Sequence, residues 1–173
     1  MSLSLHPVSE DDEQAIMEYR SIFIEHHDSL DGTAGLQEYD DFGLWYQQVK
    51  KDEMMIEKAN DRVMATTFLA KKAGKLVGFV NVRHELNDAL KQVGGHIGYS
   101  VLPRERGKGY AKEMLRLGLL HCKALNIKEV LLTCQEDNIA SNKVILFNRG
   151  ILQDTITVEN AASRINRYWV SIV

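Results

Sequence analysis

The sequence predicts a single α/β domain, a mixed central β-sheet flanked by helices, on three observations. Short stretches of alternating apolar and polar residues, rich in β-branched and aromatic side chains, recur between stretches whose apolar residues repeat about every 3.6 positions. Their order is strand, two helices, three strands, helix, strand, helix, two strands, with a glycine-rich turn before the third helix. A length of 173 residues, 45% of them hydrophobic, supplies one sizeable core and is too short for two ordinary domains.

A first strand is expected around Leu5. Ser9-Glu10-Asp11-Asp12 opens a helix, with Ser9 as N-cap and carboxylates opposing the dipole, and Ile16, Tyr19, Arg20 and Phe23 continue it. The turn region 27–35 leads to a second helix through Leu44, Trp45, Gln48 and Val49. Ala65 to Ala70 and Leu76 to Val82 are strands joined by a hairpin at Lys72-Ala73-Gly74-Lys75, and Asn87 to Gly95 connects them to the next strand. That strand, His96 to Leu102, is ended by Pro103, which lacks a ladder donor. Ala111, Leu115, Gly118, Cys122 and Leu125 then fall on one helical stripe. Glu129 to Cys134 is a strand, Asp137-Asn138 opens another helix, and strands Gln153 to Val158 and Arg164 to Ile172 close the chain around the polar segment 159–163. No repeat or linker interrupts the pattern, so residues 4–173 form the domain. Met1-Ser2-Leu3 has the look of a cloning remnant and is set aside.

Composition excludes several classes. Apolar runs are far below a membrane span and the N-terminus lacks a secretory pattern, so a soluble, cytoplasmic protein is expected. Cys122 and Cys134 sit in apolar patterns without C-x-x-C spacing and read as buried thiols; the histidines include one adjacent pair and no spaced ligand set, so no metal is indicated. The net charge of −3 hides an asymmetry: Glu10 to Asp41 holds eleven carboxylates and one basic residue, whereas Arg104 to Lys128 holds seven basic and two acidic residues. Solvated helix faces explain part of this, but separation by sign also suggests an anionic ligand at one end and a cationic one at the other. Nucleic acid is disfavoured, because no aromatics interleave with the basic segment.

Arg106-Gly107-Lys108-Gly109-Tyr110-Ala111 lies between a strand and a helix start, where unpaired N–H groups and the positive dipole end coincide. Glycines let a ligand approach the backbone, and Arg106 and Lys108 add charge, so a phosphate is expected here. A P-loop is excluded because Gly109, not Ser or Thr, follows Lys108, and the dinucleotide fingerprint fails at Lys112. What remains is Arg/Gln-x-x-Gly-x-Gly/Ala. It resembles the acetyl-CoA loop of the GCN5-related N-acetyltransferase (GNAT) superfamily, also in the overlapping register Arg104 to Gly109. The resemblance extends through Asn138 and Ser141, an Asn after the fifth strand and a small residue three positions later, and more weakly along nearly the whole chain.

The resemblance implies a GNAT-like fold, with a splayed pair of parallel strands holding acetyl-CoA, and acetyl transfer from the thioester to a primary amine without an acyl-enzyme or a metal. It implies pyrophosphate binding along Arg106, Gly107, Lys108, Gly109, Tyr110 and Ala111. Val101 would supply free backbone groups to the pantetheine and oxyanion, and Asn138 a second pantetheine contact compatible with an N-cap. Lys143 stands either at the ribose phosphate or as an exposed helix lysine. His96, five residues before Val101, is the candidate base, with Glu85 and His84 as rivals. The last-helix tyrosine that serves many members as acid is missing: Ile145, Leu146 and Phe147 offer no phenol, which leaves Tyr168 on the final strand, or water. A cationic small molecule or peptide is the expected acceptor, since the acidic segment borders the acceptor side in this fold; a homodimer stays open. The second function considered is a non-catalytic acetyl-CoA sensor or regulatory module. A scaffold has no use for the loop.

Overall fold

A computed structural model of the protein describes residues 2–54 and 61–172. Strands β1 (Leu3–Pro7), β2 (Ala65–Lys72), β3 (Lys75–Arg83) and β4 (Ile97–Val101) form one antiparallel sheet in that order. Strands β5 (Glu129–Gln135), β6 (Ile151–Ile156) and β7 (Ile165–Ser171) form a second, with β7 in the middle. Helices α1 (Glu13–Glu25), α2 (Phe42–Glu53), α4 (Tyr110–Ala124) and α5 (Ile139–Phe147) are where the apolar periodicity puts them. The expected mixed sheet is thus two antiparallel sheets that meet along β4 and β5.

Some boundaries differ from expectation for local reasons. Ser9 accepts from Asp11 N–H as foreseen, but it caps a short 3-10 turn that precedes α1. The 87–95 connection contains a one-turn helix, α3 (Asp88–Gln92), because Asn87 caps it through Leu90 N–H. Strand β6 begins at Ile151, earlier than its polarity suggested, because its outer face is exposed and only its ladder to β7 defines it. Leu3 is no dispensable remnant: it pairs with Lys72 and is buried in the core, whereas Met1 lies outside the described residues.

Strand alternation sends β3 and β4 side chains into two cores. Val80, Val82, Ile97 and Val101 pack against Met114, Leu115 and Cys122 of α4. On the other face Phe79 and Leu69 pack against Ile16, Tyr19 and Phe23 of α1 and Trp45 of α2. Each such fully buried side chain contributes about 1.5–3 kcal/mol, which holds both helical layers against one sheet. Trp45 also donates from Nε1 to Thr33 O at 2.8 Å, tying the 27–35 turn to α2. No helix among the described residues is long and apolar enough to cross a membrane.

Candidate active site

The two sheets touch at His96 and open beyond it. His96 N–H donates to Leu131 O (2.8 Å), and Leu131 N–H donates to His96 Nδ1 (2.9 Å). No ladder joins β4 to β5 past this point among the described residues. Arg83 N–H bonds His96 O and Leu102 N–H bonds Val77 O. Alternation between these pairs turns the backbone groups of Gly98 and Ser100 to β3, and those of Ile97, Tyr99 and Val101 to the gap. On the other side Glu136 N–H bonds Arg164 O and Ile172 N–H bonds Lys128 O. By the same parity Thr133 and Gln135 face the gap. A slot lined by backbone polar groups follows from one local junction.

The glycine loop stands at the mouth of this slot. Among the described residues, no acceptor meets the N–H groups of Gly107, Lys108, Gly109, Tyr110, Ala111 and Lys112; Glu113 is the first to bond back, to Gly109 O at 3.4 Å. Gly107 and Gly109 have φ of 75° and 82°, and nothing lies within 4 Å of where a Cβ would sit on either. Such a concave row of donors at the positive end of α4 binds anions.

The charged side chains of the loop are employed otherwise than its sequence suggests. Arg106 donates from Nε to Val101 O (3.1 Å) and from Nη2 to Asp28 (2.7 Å), and its guanidinium lies 5.7 Å over the Phe23 ring. It braces the loop against β4 and α1, so its backbone and not its side chain faces a ligand. Lys108 holds Glu105 at 2.8 Å in an exposed pair of little strength, from which it is free to swing. Tyr110 and Ala111 are half-buried on α4 and anchor the helix start in the core. Asn138 is the N-cap of α5, its Oδ1 accepting from Ser141 N–H at 3.0 Å, and Lys143 is exposed on that helix.

The catalytic candidates fare differently. His96 is 7% exposed, and burial beside the Arg83 cation lowers its pKa from 6.5 to about 4. With Nδ1 holding Leu131, the imidazole is a neutral bolt between the sheets, and its geometry argues against service as a base. Strand alternation does put His96, Gly98 and Ser100 on one face as expected, but the room foreseen beside Gly98 is taken. A Cβ on Gly98 would lie 3.1 Å from Gly32 N, because the turn after α1 packs on this strand. His84 shares a hydrogen bond with Thr66 (2.8 Å) and is near His121, while Glu85 is exposed on the loop after β3. Tyr168 donates its hydroxyl to Asn142 Oδ1 at 2.5 Å, and Asn142 in turn binds the carbonyls that end β5. That commitment argues against Tyr168 as acid.

Three features escaped the sequence. Tyr99 reaches across the gap from β4, and its hydroxyl shares a hydrogen bond with Ser141 (2.9 Å), beside the Cys134 thiol. A phenol therefore does stand at the first turn of α5, delivered from a strand. Burial raises the pKa of Tyr99, opposed by the Ser141 hydrogen bond, and burial pushes the Cys134 thiol up to about 11. Alternation placed Tyr99 opposite His96, which was the available signal. Second, a cavity of about 350 Å3 lies on the α1–α2 side, lined among others by Asp31, Gly32, Asp52, Arg62, Asn81 and Arg83. Third, part of the acidic segment is spent elsewhere: Asp12 pairs with Lys71, Asp28 with Arg106 and Asp40 with Arg20, and Asp41 caps α2. Among the carboxylates of that segment, Asp31 lines the cavity.

Similar solved structures share this architecture. RimJ of Mycobacterium smegmatis, in complex with a CoA disulfide, is 19% identical with a TM-score of 0.74, covering 98% of this chain and 81% of its own. An acetyl transferase of Salmonella typhimurium that modifies the N-terminal serine of a ribosomal protein is 16% identical, TM-score 0.69, covering 100% and 96%. Mutant forms of the spermidine/spermine N-acetyltransferase SpeG of Vibrio cholerae are 15% identical, TM-score 0.65, covering 98% and 95%. Identities this low show the fold. No curated protein matches the chain by sequence. The acetyltransferase (GNAT) family matches over residues 36–146. Because that stretch holds the glycine loop, both strands of the gap and the Asn138 cap, the chain belongs to the acetyltransferase (GNAT) family and is, with it, an acyltransferase.

Proposed function

We propose that the protein transfers the acetyl group of acetyl-CoA directly to a primary amine of a small molecule or peptide. The observation that carries this reading is the row of unclaimed N–H groups from Gly107 to Lys112 at the mouth of a slot lined by backbone donors and acceptors. A pyrophosphate suits the row, and an extended amide-bearing arm suits the slot. The similar structures with CoA, polyamine and protein N-terminus in their names support an amine acceptor of this general kind.

In this reading the pantetheine enters past Val101, whose carbonyl Arg106 already occupies, pairs along the gap with Tyr99, Thr133 and Gln135, and brings its thioester oxygen to the N–H of Ile97 at the closed end, which polarises it. The acceptor enters from the cavity. Asp31 at its rim attracts the ammonium form, which loses its proton to water before the nitrogen attacks the carbonyl carbon. The nitrogen of the tetrahedral intermediate gives its remaining excess proton to water, the oxyanion collapses, the C–S bond breaks, and the thiolate takes a proton through Ser141 from Tyr99, which water then reprotonates. No acyl-enzyme forms, and Cys134, with its thiol pushed up to about 11, is a poor nucleophile at neutral pH.

The test is release of free CoA thiol from acetyl-CoA over a panel of primary amines, with Gly109→Val as the loop-defective control. Turnover lost in Gly109→Val is expected. Binding of acetyl-CoA with no thiol released by any primary amine would favour the non-catalytic sensor instead.

A further inference from the structure

Arg83 ends β3 inside the cavity wall. Its Nη1 donates to the carbonyls of Gly94 and Gly95, each at 3.1 Å, and Nη2 lies 3.5 Å from where a Cβ on Gly98 would sit. Among the described residues, no carboxylate pairs with Arg83, and neither Nε nor Nη2 has an acceptor. Arg83 itself lines the cavity. The Nε–Nη2 edge is the side of a guanidinium that takes both oxygens of a carboxylate. This protein uses that edge so repeatedly: Arg62 on Asp52, Arg116 on Glu113 and Arg167 on Asp154. In the same cavity the Arg62 charge is cancelled by Asp52, which leaves Arg83 as a cation with an open fork.

We propose that the acceptor carries a carboxylate as well as its amine, and that Arg83 binds this carboxylate through Nε and Nη2 while Asp31 faces the ammonium. The inference rests on the transferase reading above. Asp61, also on the cavity rim, is exposed, with its carbonyl accepting from Asn87. Arg83 reaches β4, the strand that borders the gap, at Gly98, where the Gly32 turn also packs. A cavity of about 350 Å3 is small for a ligand site; pockets of roughly 300–1,000 Å3 are usual. That size favours an amino-acid-like molecule over a long peptide.

The probes are glycine, β-alanine, 4-aminobutyrate and 5-aminovalerate, each against its primary amide, with CoA thiol release as readout. For the best chain length, kcat/KM of the acid is expected to exceed that of its amide by roughly 30-fold or more, the usual size of a lost buried charge pair. In Arg83→Gln the ratio should fall towards one with CoA affinity unchanged. Because Nη1 also holds the Gly94–Gly95 turn, Arg83→Lys is made in parallel; it keeps the charge without the fork and should retain CoA binding with a reduced ratio. Equal rates for acids and amides in the unaltered protein overturn the inference and leave the transferase reading standing. Thiol release from none of these amines, nor from spermidine, counts against both.

Discussion

Replacing His96 by Ala tests whether the imidazole bolts the sheets together or takes a proton from the acceptor. At pH 8 the substitution strips Leu131 N–H of its acceptor in a buried junction, at a cost of about 1–3 kcal/mol, with a further loss for the emptied ring volume. We expect a total of roughly 2–4 kcal/mol. The pH dependence carries the sharper test. The folded-state pKa is lowered from 6.5 to about 4, so the unfolded chain takes up a proton that the folded one refuses. Stability is therefore complete above about pH 6.5 and is lost as pH falls towards 4, by roughly 3 kcal/mol at about 1.36 kcal/mol per pKa unit. His96→Ala escapes that loss, so the gap between the two proteins should be wide at pH 8 and nearly closed at pH 4.5. His84 and His121, whose pKa values burial also lowers, remain in both proteins and cancel in the comparison. Urea unfolding followed by tryptophan fluorescence at the two pH values reads it, with the pH profile of kcat/KM alongside. A stability difference that does not change with pH would refute the neutral bolt. Loss of the acidic limb of kcat/KM in His96→Ala, with CoA affinity kept, would restore His96 as the base.

Gly109→Val puts a β-branched residue at φ 82° and displaces the cradle; losing one or two phosphate hydrogen bonds weakens CoA binding by roughly 10–100-fold in calorimetry. Lys108→Ala removes only an exposed charge, so a change below about threefold, vanishing in high salt, is expected. Tyr99→Phe should lower kcat by roughly 10–100-fold, with Ser141→Ala not adding to it in the double variant, as befits one proton path. Tyr168→Phe should cost about 1 kcal/mol of stability through Asn142 and leave kcat within about twofold; a large drop in kcat would return Tyr168 to the chemistry.

What the sequence disclosed and what it withheld separate by the range of the interactions involved. The glycine loop was legible because its function is a backbone property: Gly107, Gly109 and the start of α4 fix the direction of the N–H groups within six residues of one another. The capping of α5 by Asn138 and the hairpin at Ala73-Gly74 were legible on the same ground. Side-chain roles were not, because each is settled by a partner far along the chain. His96 reads as a base until burial between the sheets, beside Arg83, lowers its pKa and Leu131, thirty-five positions away, claims its Nδ1. Arg106 looked like a phosphate ligand until Asp28, seventy-eight positions away, paired with it. The missing phenol of α5 was restored by Tyr99, forty-two positions before Ser141. Charge counts failed for a related reason: the acidic segment was read as a field, whereas Asp12, Asp28 and Asp40 are each neutralised by one cation at contact distance. A cation left without such a partner among the described residues is then the informative case, and Arg83 is that residue in the cavity wall. It directly precedes the two rival candidate bases, His84 and Glu85, and only the fold shows that the arginine beside them lines the cavity.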